Sequence, residues 1–331
     1  MLLRILLLLA IAGLALTINI SIGDVNIAPS TAIQSVFTPQ SLPADQAANL
    51  EIIRQVRLPR LAVAALVGAA LAVSGYLLQS LSRNDLADPY LTGVSSGAGV
   101  TVALAIALSL NFEWIPLIAF AGGLASSVMV GTIARSPYGL SVTRLLLGGI
   151  GLSTICSGLI TLIIHLGGDP VRAQGIFFWL AGGISGRTWQ ECLPASLYVV
   201  AGIIAALVFA KQLRLLSLGV EQARSLGTNV DFVQWSLLII AVFLCGAAVS
   251  VSGLVGFVGL MAPHLARRLF GKDERLHLFA CTLIGIVLVS LSDLMARSLI
   301  SGQELPLSPL LSLLGGPFFL YLVSKQRAEE L

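Results

Sequence analysis

The chain alternates long apolar runs with short polar breaks. A helix needs about 20 predominantly apolar residues to cross the hydrocarbon core of a bilayer. Ten runs approach that length, near residues 2–20, 58–81, 91–109, 114–134, 144–166, 192–210, 233–251, 253–269, 277–299 and 309–324. They predict an all-α, polytopic integral membrane protein with about ten transmembrane helices in a single domain over residues 1–331. The eighth run is short and follows the seventh almost at once, so its ends are the least defined. The first run holds one basic residue, Arg4, and stays apolar to Ile20. With no small-residue cleavage site, it predicts a retained helix rather than a cleaved signal peptide.

Two breaks are long. Residues 21–57 are mixed and polar, with Pro29, Pro39 and Pro43. Residues 167–191 contain GIFFWLAGGISG, too short to cross, which predicts a short helix lying at or dipping into one face.

Composition sharpens this picture. Of 331 residues 56% are hydrophobic and only 11% charged, against about 25% charged in soluble domains. The net charge of +3 gives no hint of a nucleic-acid partner. Cys156, Cys192, Cys245 and Cys281 form no CxxC and read as small apolar fillers. His165, His264 and His277 share no ligand spacing, so neither a metal, a cofactor nor a catalytic cluster is expected.

Charge placement sets the orientation. With the N-terminus inside, the inner breaks and tails hold Arg4, Arg83, Arg135, Arg144, Lys211, Arg214, Arg224, Arg267, Arg268, Lys272, Arg275, Lys325 and Arg327. Only Arg54, Arg57, Arg60, Arg172, Arg187 and Arg297 fall outside. Basic residues concentrate on the cytoplasmic side of membrane proteins, so both termini are predicted to be cytoplasmic.

Three groups of charges call for an explanation. Asp293 is the single candidate for an intramembrane acid, and Arg297 follows it at i+4 on the same helix face. An ion-coupled carrier would need such a group; an intrahelical pair with Arg297 is the plainer account. Arg54, Arg57 and Arg60 crowd the start of the second run on the side that should be poor in basic residues. They read either as side chains snorkelling to lipid phosphates or as a patch that docks an acidic partner. Within the inner loop 211–232, Leu218, Gln222 and Leu226 fall at helical spacing beside Glu221 and Arg224, and Gly227 is a natural C-terminal cap. That is a short amphipathic helix, too short to be stable alone.

Small residues recur inside the runs. Gly68, Gly75, Gly122, Gly123, Gly148, Gly149 and Gly151 would let helix backbones approach closely. GAALAVSG at 68–75 and GAAVSVSG at 246–253 match at six of eight positions. They lie five runs apart, in the second and the seventh, so the copies would face opposite ways, as in inverted-repeat transport proteins.

RLPRLAVAALVGAALAVSG, LADP, FFWLAGGISG, LSLGVEQARSLG, GFVGLMAPHLARRLFGKDER, and ELP followed by GGPFFLYLV occur in this order. Over roughly residues 55 to 324 the chain resembles the FecCD family, the permease subunits of type II ABC importers for ferric siderophores, haem and cobalamin. The resemblance implies a dimer with an identical or closely related second permease subunit and a path along the dimer axis. It implies two cytoplasmic ATPase subunits that bind ATP and Mg, and one periplasmic or lipid-anchored binding protein. No cofactor and no chemistry would reside in this subunit. Leu218, Gly219, Glu221, Ala223, Arg224, Leu226 and Gly227 match the family's coupling element to the ATPase. Arg57, Arg60 and Arg297 match arginines that pair with the binding protein. Pro263, His264, Arg267 and Arg268 would hold the cytoplasmic end of the eighth run, at the surface facing the ATPase. A ferric siderophore is the expected cargo, in a multi-pass protein of the bacterial inner membrane. The sequence departs from the family at Asp85, where proline is usual, and at Ser308 and Pro309, where a glycine is usual. The rival of another class is an ion-coupled secondary transporter using Asp293.

Overall fold

The computed structural model describes residues 2–23, 27–37, 47–136, 139–270, 274–300 and 302–329. The long breaks carry short helices, α2 (Pro29–Phe37) and α3 (Ala47–Ile52) after α1 (Leu2–Ser21). Then follow α4 (Leu58–Ser82), α5 (Val94–Ala107), α6 (Ile115–Ile133), α7 (Val142–Gly167), α8 (Pro170–Ala181) and α9 (Trp189–Val208). The remainder is α10 (Ala210–Ser217), α11 (Val220–Ser225), α12 (Val230–Ser252), α13 (Val258–Phe270), α14 (Glu274–Ser298) and α15 (Leu307–Glu329). A two-stranded hairpin, β1 (Arg135–Ser136) and β2 (Gly139–Leu140), joins α6 to α7. Pro39, Pro43 and Lys272 lie outside the described residues.

A helix occupies each of the ten apolar runs, and among the described residues seven are long and apolar enough to cross a bilayer. The run 253–269 is the main departure. Gly253 ends α12 at φ +64°, the next four residues are non-helical, and α13 starts only at Val258, leaving 13 residues. The helix in the run 91–109 is similarly short, because Pro89–Thr92 forms a 3₁₀ turn capped by Asp88 and closed by Gly93 at φ +85°.

The helix of the second run extends upstream of residue 58. Helical backbone continues from Ala48 to Ser82. Pro59 has no N–H for an i−4 bond, and the turn before it, Ile53–Arg57, widens to π geometry, with Leu58 N–H bonding to Ile53 O. This widened turn carries Arg57.

Helix α4 is the core of the bundle, packed between α12 and α14. Its glycines make that possible. A Cβ on Gly68 would lie 2.2 Å from Gly285 O, and one on Gly75 would lie 1.9 Å from Gly259 O. The two similar octapeptides sit in the neighbouring helices α4 and α12, and Ser74 Oγ donates to Ala241 O of α12 at 2.6 Å. By contrast α7 is the least buried of the seven spans, with only 11% of its apolar window covered.

Candidate functional site

At the end assigned to the outside by the charge count, α1, α4 and α14 bring Arg57, Arg60, Asp293 and Arg297 together. Arg60 grips Asp293 as a fork: Nε lies 3.0 Å from both carboxylate oxygens and Nη2 lies 2.8 Å from Oδ1. Its Nη1 reaches Glu304 Oε1 at 2.7 Å. Asp293 is fully buried, whereas the Glu304 side chain is 43% exposed. Burial opposes the charge of Glu304, but hydrogen bonds from Arg60 and Ser185 and the nearby Arg297 outweigh it and hold the carboxyl below the ordinary range.

The i+4 neighbour is the weaker partner of Asp293, since Arg297 Nε stands 3.9 Å away. Arg297 Nη2 instead bonds the backbone oxygen of Asn19 and its Oδ1, the latter at 2.9 Å. Arg57, only 6% exposed, donates to Ile20 O and to Ser21 O at 3.1 Å. The three arginines thus meet, but as bonded groups rather than a free basic patch. They line an open recess with Gly302, Gln303 and Glu304. Arg54 is exposed, with its carbonyl accepting from Trp189 Nε1 at 3.0 Å. A short helix does form, capped by Asp169, but over 170–181, so it covers only the first seven residues of the stretch 175–186 and ends before Gly182.

The opposite end holds the other predicted residues. Pro263 does not end α13 but lies inside it. The N–H it lacks would have bonded to Gly259 O, and that carbonyl accepts instead from Gln79 Nε2 of α4 at 3.2 Å. His264 stands edge-on to Phe318 at 5.7 Å. Arg267 donates to Gln79 Oε1 and pairs with Asp85 Oδ1 at 3.2 Å, so the family-atypical Asp85 is a partner of this helix. Arg268 is exposed.

The loop 211–232 resolves into α10, α11 and the first turn of α12. Gly227 adopts φ +80° after α11. Its N–H bonds to Arg224 O at 2.9 Å while Thr228 N–H bonds to Ala223 O at 3.0 Å, a Schellman cap. Gly219, at φ +123°, opens the helix. Ala223 packs inward, whereas the side chain of Glu221 is 86% exposed and Leu218 and Leu226 are exposed apolar groups. Arg224 lies 3.8 Å from Glu221 and 3.5 Å from Asp231.

Sequence reasoning missed Asn19, Gln79, Gln234 and Glu304 as structural partners. Asn19, Gln79 and Gln234 carry one signal, an amide side chain within or beside an apolar run. Such groups require hydrogen-bond partners when buried.

A sequence profile of the FecCD transport family matches residues 7–325. The hemin transport system permease protein HmuU of Yersinia pestis is 40% identical over 283 residues, covering 83% of this chain and 84% of that one. The Fe(3+) dicitrate transport system permease protein FecC of Escherichia coli is 39% identical, covering 83% of each. A solved metal-chelate type ABC transporter in an inward-facing conformation superposes with a TM-score of 0.85 at 30% identity, over 96% of this chain and 97% of that one. The ten-run pattern, the helices that fill it and these matches agree, and the chain belongs to the FecCD transport family as a permease subunit of an ABC importer.

Proposed function

We propose that this permease carries a ferric chelate across the inner membrane, with both termini in the cytoplasm. The observation that carries the coupling half of this reading is α11, a capped helix with Glu221, Leu218 and Leu226 exposed on a loop flanked by Lys211 and Arg214. A helix of six residues is not stable alone; its two glycine-built ends support a role as a preformed contact. In this reading Leu218, Gly219, Glu221, Ala223, Arg224, Leu226 and Gly227 seat in an ATPase subunit. Two such subunits bind ATP and Mg and supply the energy, and this chain holds no cofactor. Pro263, His264, Arg267 and Arg268 brace the neighbouring surface.

At the other end Arg57, Arg60 and Arg297 receive the acidic lobes of a single periplasmic or lipid-anchored binding protein. Two permease subunits, identical or closely related, enclose the path. The ferric chelate is favoured by relatives named for hemin and Fe(3+) dicitrate transport. The test is reconstitution with the ATPase and the binding protein, comparing ATPase stimulation by ferric siderophores, haem and cobalamin. Stimulation by a ferric siderophore is expected. Stimulation by cobalamin alone would overturn the cargo assignment, and by haem alone would narrow it to haem.

A further inference from the structure

The hairpin between α6 and α7 is stitched to the beginning of α12. Leu140 N–H donates to Gln234 Oε1 at 3.0 Å, and both residues are buried. Gly139 sits at φ +108°, and a Cβ there would lie 2.7 Å from Asp231 Oδ1 and from Gln234 Oε1. Glycine is what lets the hairpin lie this close. Asp231 and Gln234 are three residues apart, so they share one face of the first turns of α12. Asp231 also receives Arg224 of α11. On the far side of the hairpin, Ser141 N–H closes onto Ala134 O at 2.9 Å and the Ser141 side chain caps α7. Thus α11, the first turn of α12, the hairpin and the base of α7 form one bonded series, and α7 is the spanning helix with the smallest buried share of its apolar window.

We propose that Gln234 is a positioning residue for transport: it locks the hairpin to α12 so that a displacement of α11 is delivered to the base of α7. The inference rests on the proposed seating of α11 in the ATPase. The element linking the two sites is a short hydrogen-bonded block, and coupling requires that its position differ between the two states of the transporter.

The test uses the full complex with ATPase and binding protein, in a chain whose four native cysteines are replaced by alanine. A thiol probe is placed at Ser136→Cys, and its labelling rate is compared without nucleotide and in an ATP-locked state. The rate should change with nucleotide in the parent. Gln234→Met removes the acceptor. It should abolish that change and lower transport per ATP about tenfold, the scale expected for one lost buried hydrogen bond, while assembly and ATP hydrolysis persist. Should the methionine variant not assemble, Gln234→Ala is read in its place, and failure of both to assemble makes Gln234 a folding residue and overturns the proposal. An unchanged nucleotide response in Gln234→Met, or a parent probe with no response, also overturns it. Gly227→Pro is the second arm. If it leaves the response intact, the seating of α11 fails. If it abolishes the response and Gln234→Met does not, only the role of Gln234 fails.

Discussion

Arg60 and Asp293 lie 233 residues apart in sequence and meet as a forked ion pair, with Nε 3.0 Å from both carboxylate oxygens. This pair joins α4 to α14 where the bundle opens toward the recess. It also changes the meaning of Asp293, the candidate intramembrane acid. Asp293 is already engaged by a guanidinium, which keeps its charge after transfer from water more readily than an ammonium would. The geometry is that of a staple between α4 and α14.

Removing one partner of a buried ion pair leaves an uncompensated charge and costs about 3–5 kcal/mol, whereas apolar replacement of both can be nearly neutral. Asp293→Ala should therefore lower the thermal unfolding midpoint of the detergent-solubilised protein substantially. The double variant Arg60→Met/Asp293→Leu should recover most of the loss. In the reconstituted importer, uptake by Asp293→Asn should remain insensitive to an uncoupler. Uptake that collapses with the uncoupler in the parent chain would instead favour the ion-coupled rival.

Glycine substitutions should divide by contact, not by sequence. A Cβ on Gly75 would collide with a backbone carbonyl, Gly259 O at 1.9 Å, so α4 and α13 would have to separate. Gly75→Ala should cost at least the ~1–3 kcal/mol typical of an overpacked core. Gly151, with nothing within 4 Å, has room for a methyl group. Gly151→Ala should be neutral or stabilising by up to about 1 kcal/mol through helix propensity. Equal unfolding midpoints for the two variants would contradict the packing.

The contrast between Gly75 and Gly151 also shows what the sequence carries. Both lie in apolar runs of similar composition, and nothing along the chain says that one faces a carbonyl and the other nothing. Helix positions are legible because the bilayer fixes the length of an apolar run. The cap at Gly227 is legible because a left-handed residue after a helix favours glycine. Interruptions that depend on packing are not. Pro263 reads as a helix end, yet it sits inside α13 because Gln79 from another helix takes up the freed carbonyl. Arg60 reads as an unpaired charge because both of its carboxylates lie more than 200 residues downstream. The chemical types of the outer cluster were visible; their mutual burial required the fold.

Glu304 should give the outer cluster an acid limit. Its folded carboxyl lies below the ordinary range, so its contribution to stability is present above the unfolded pKa and lost as pH falls through the folded one. Measured as a difference between the parent chain and Glu304→Gln, the gap in unfolding midpoint should be full above about pH 4.3, the ordinary glutamate value. It should close progressively below that. A gap that stays constant into the acid range would mean that the Arg60 contact does not hold the carboxylate.

The same carboxylate should compete with docking. Of the three guanidinium nitrogens of Arg60, Nε and Nη2 are held by the buried Asp293, and Nη1 points to the exposed Glu304. An acidic partner can displace Glu304 far more cheaply than Asp293, because a half-exposed ion pair is worth only about 0–1 kcal/mol. Glu304→Gln weakens the internal competitor while leaving Arg60 in place. It should lower the concentration of binding protein needed for half-maximal ATPase stimulation by up to about fivefold, which is what ~1 kcal/mol yields. Arg60→Gln should raise that concentration, and the effect should shrink in high salt as exposed charges are screened. If Glu304→Gln shifts the curve the other way while Arg60→Gln leaves it unmoved, the binding protein docks elsewhere and Arg60 is a staple only.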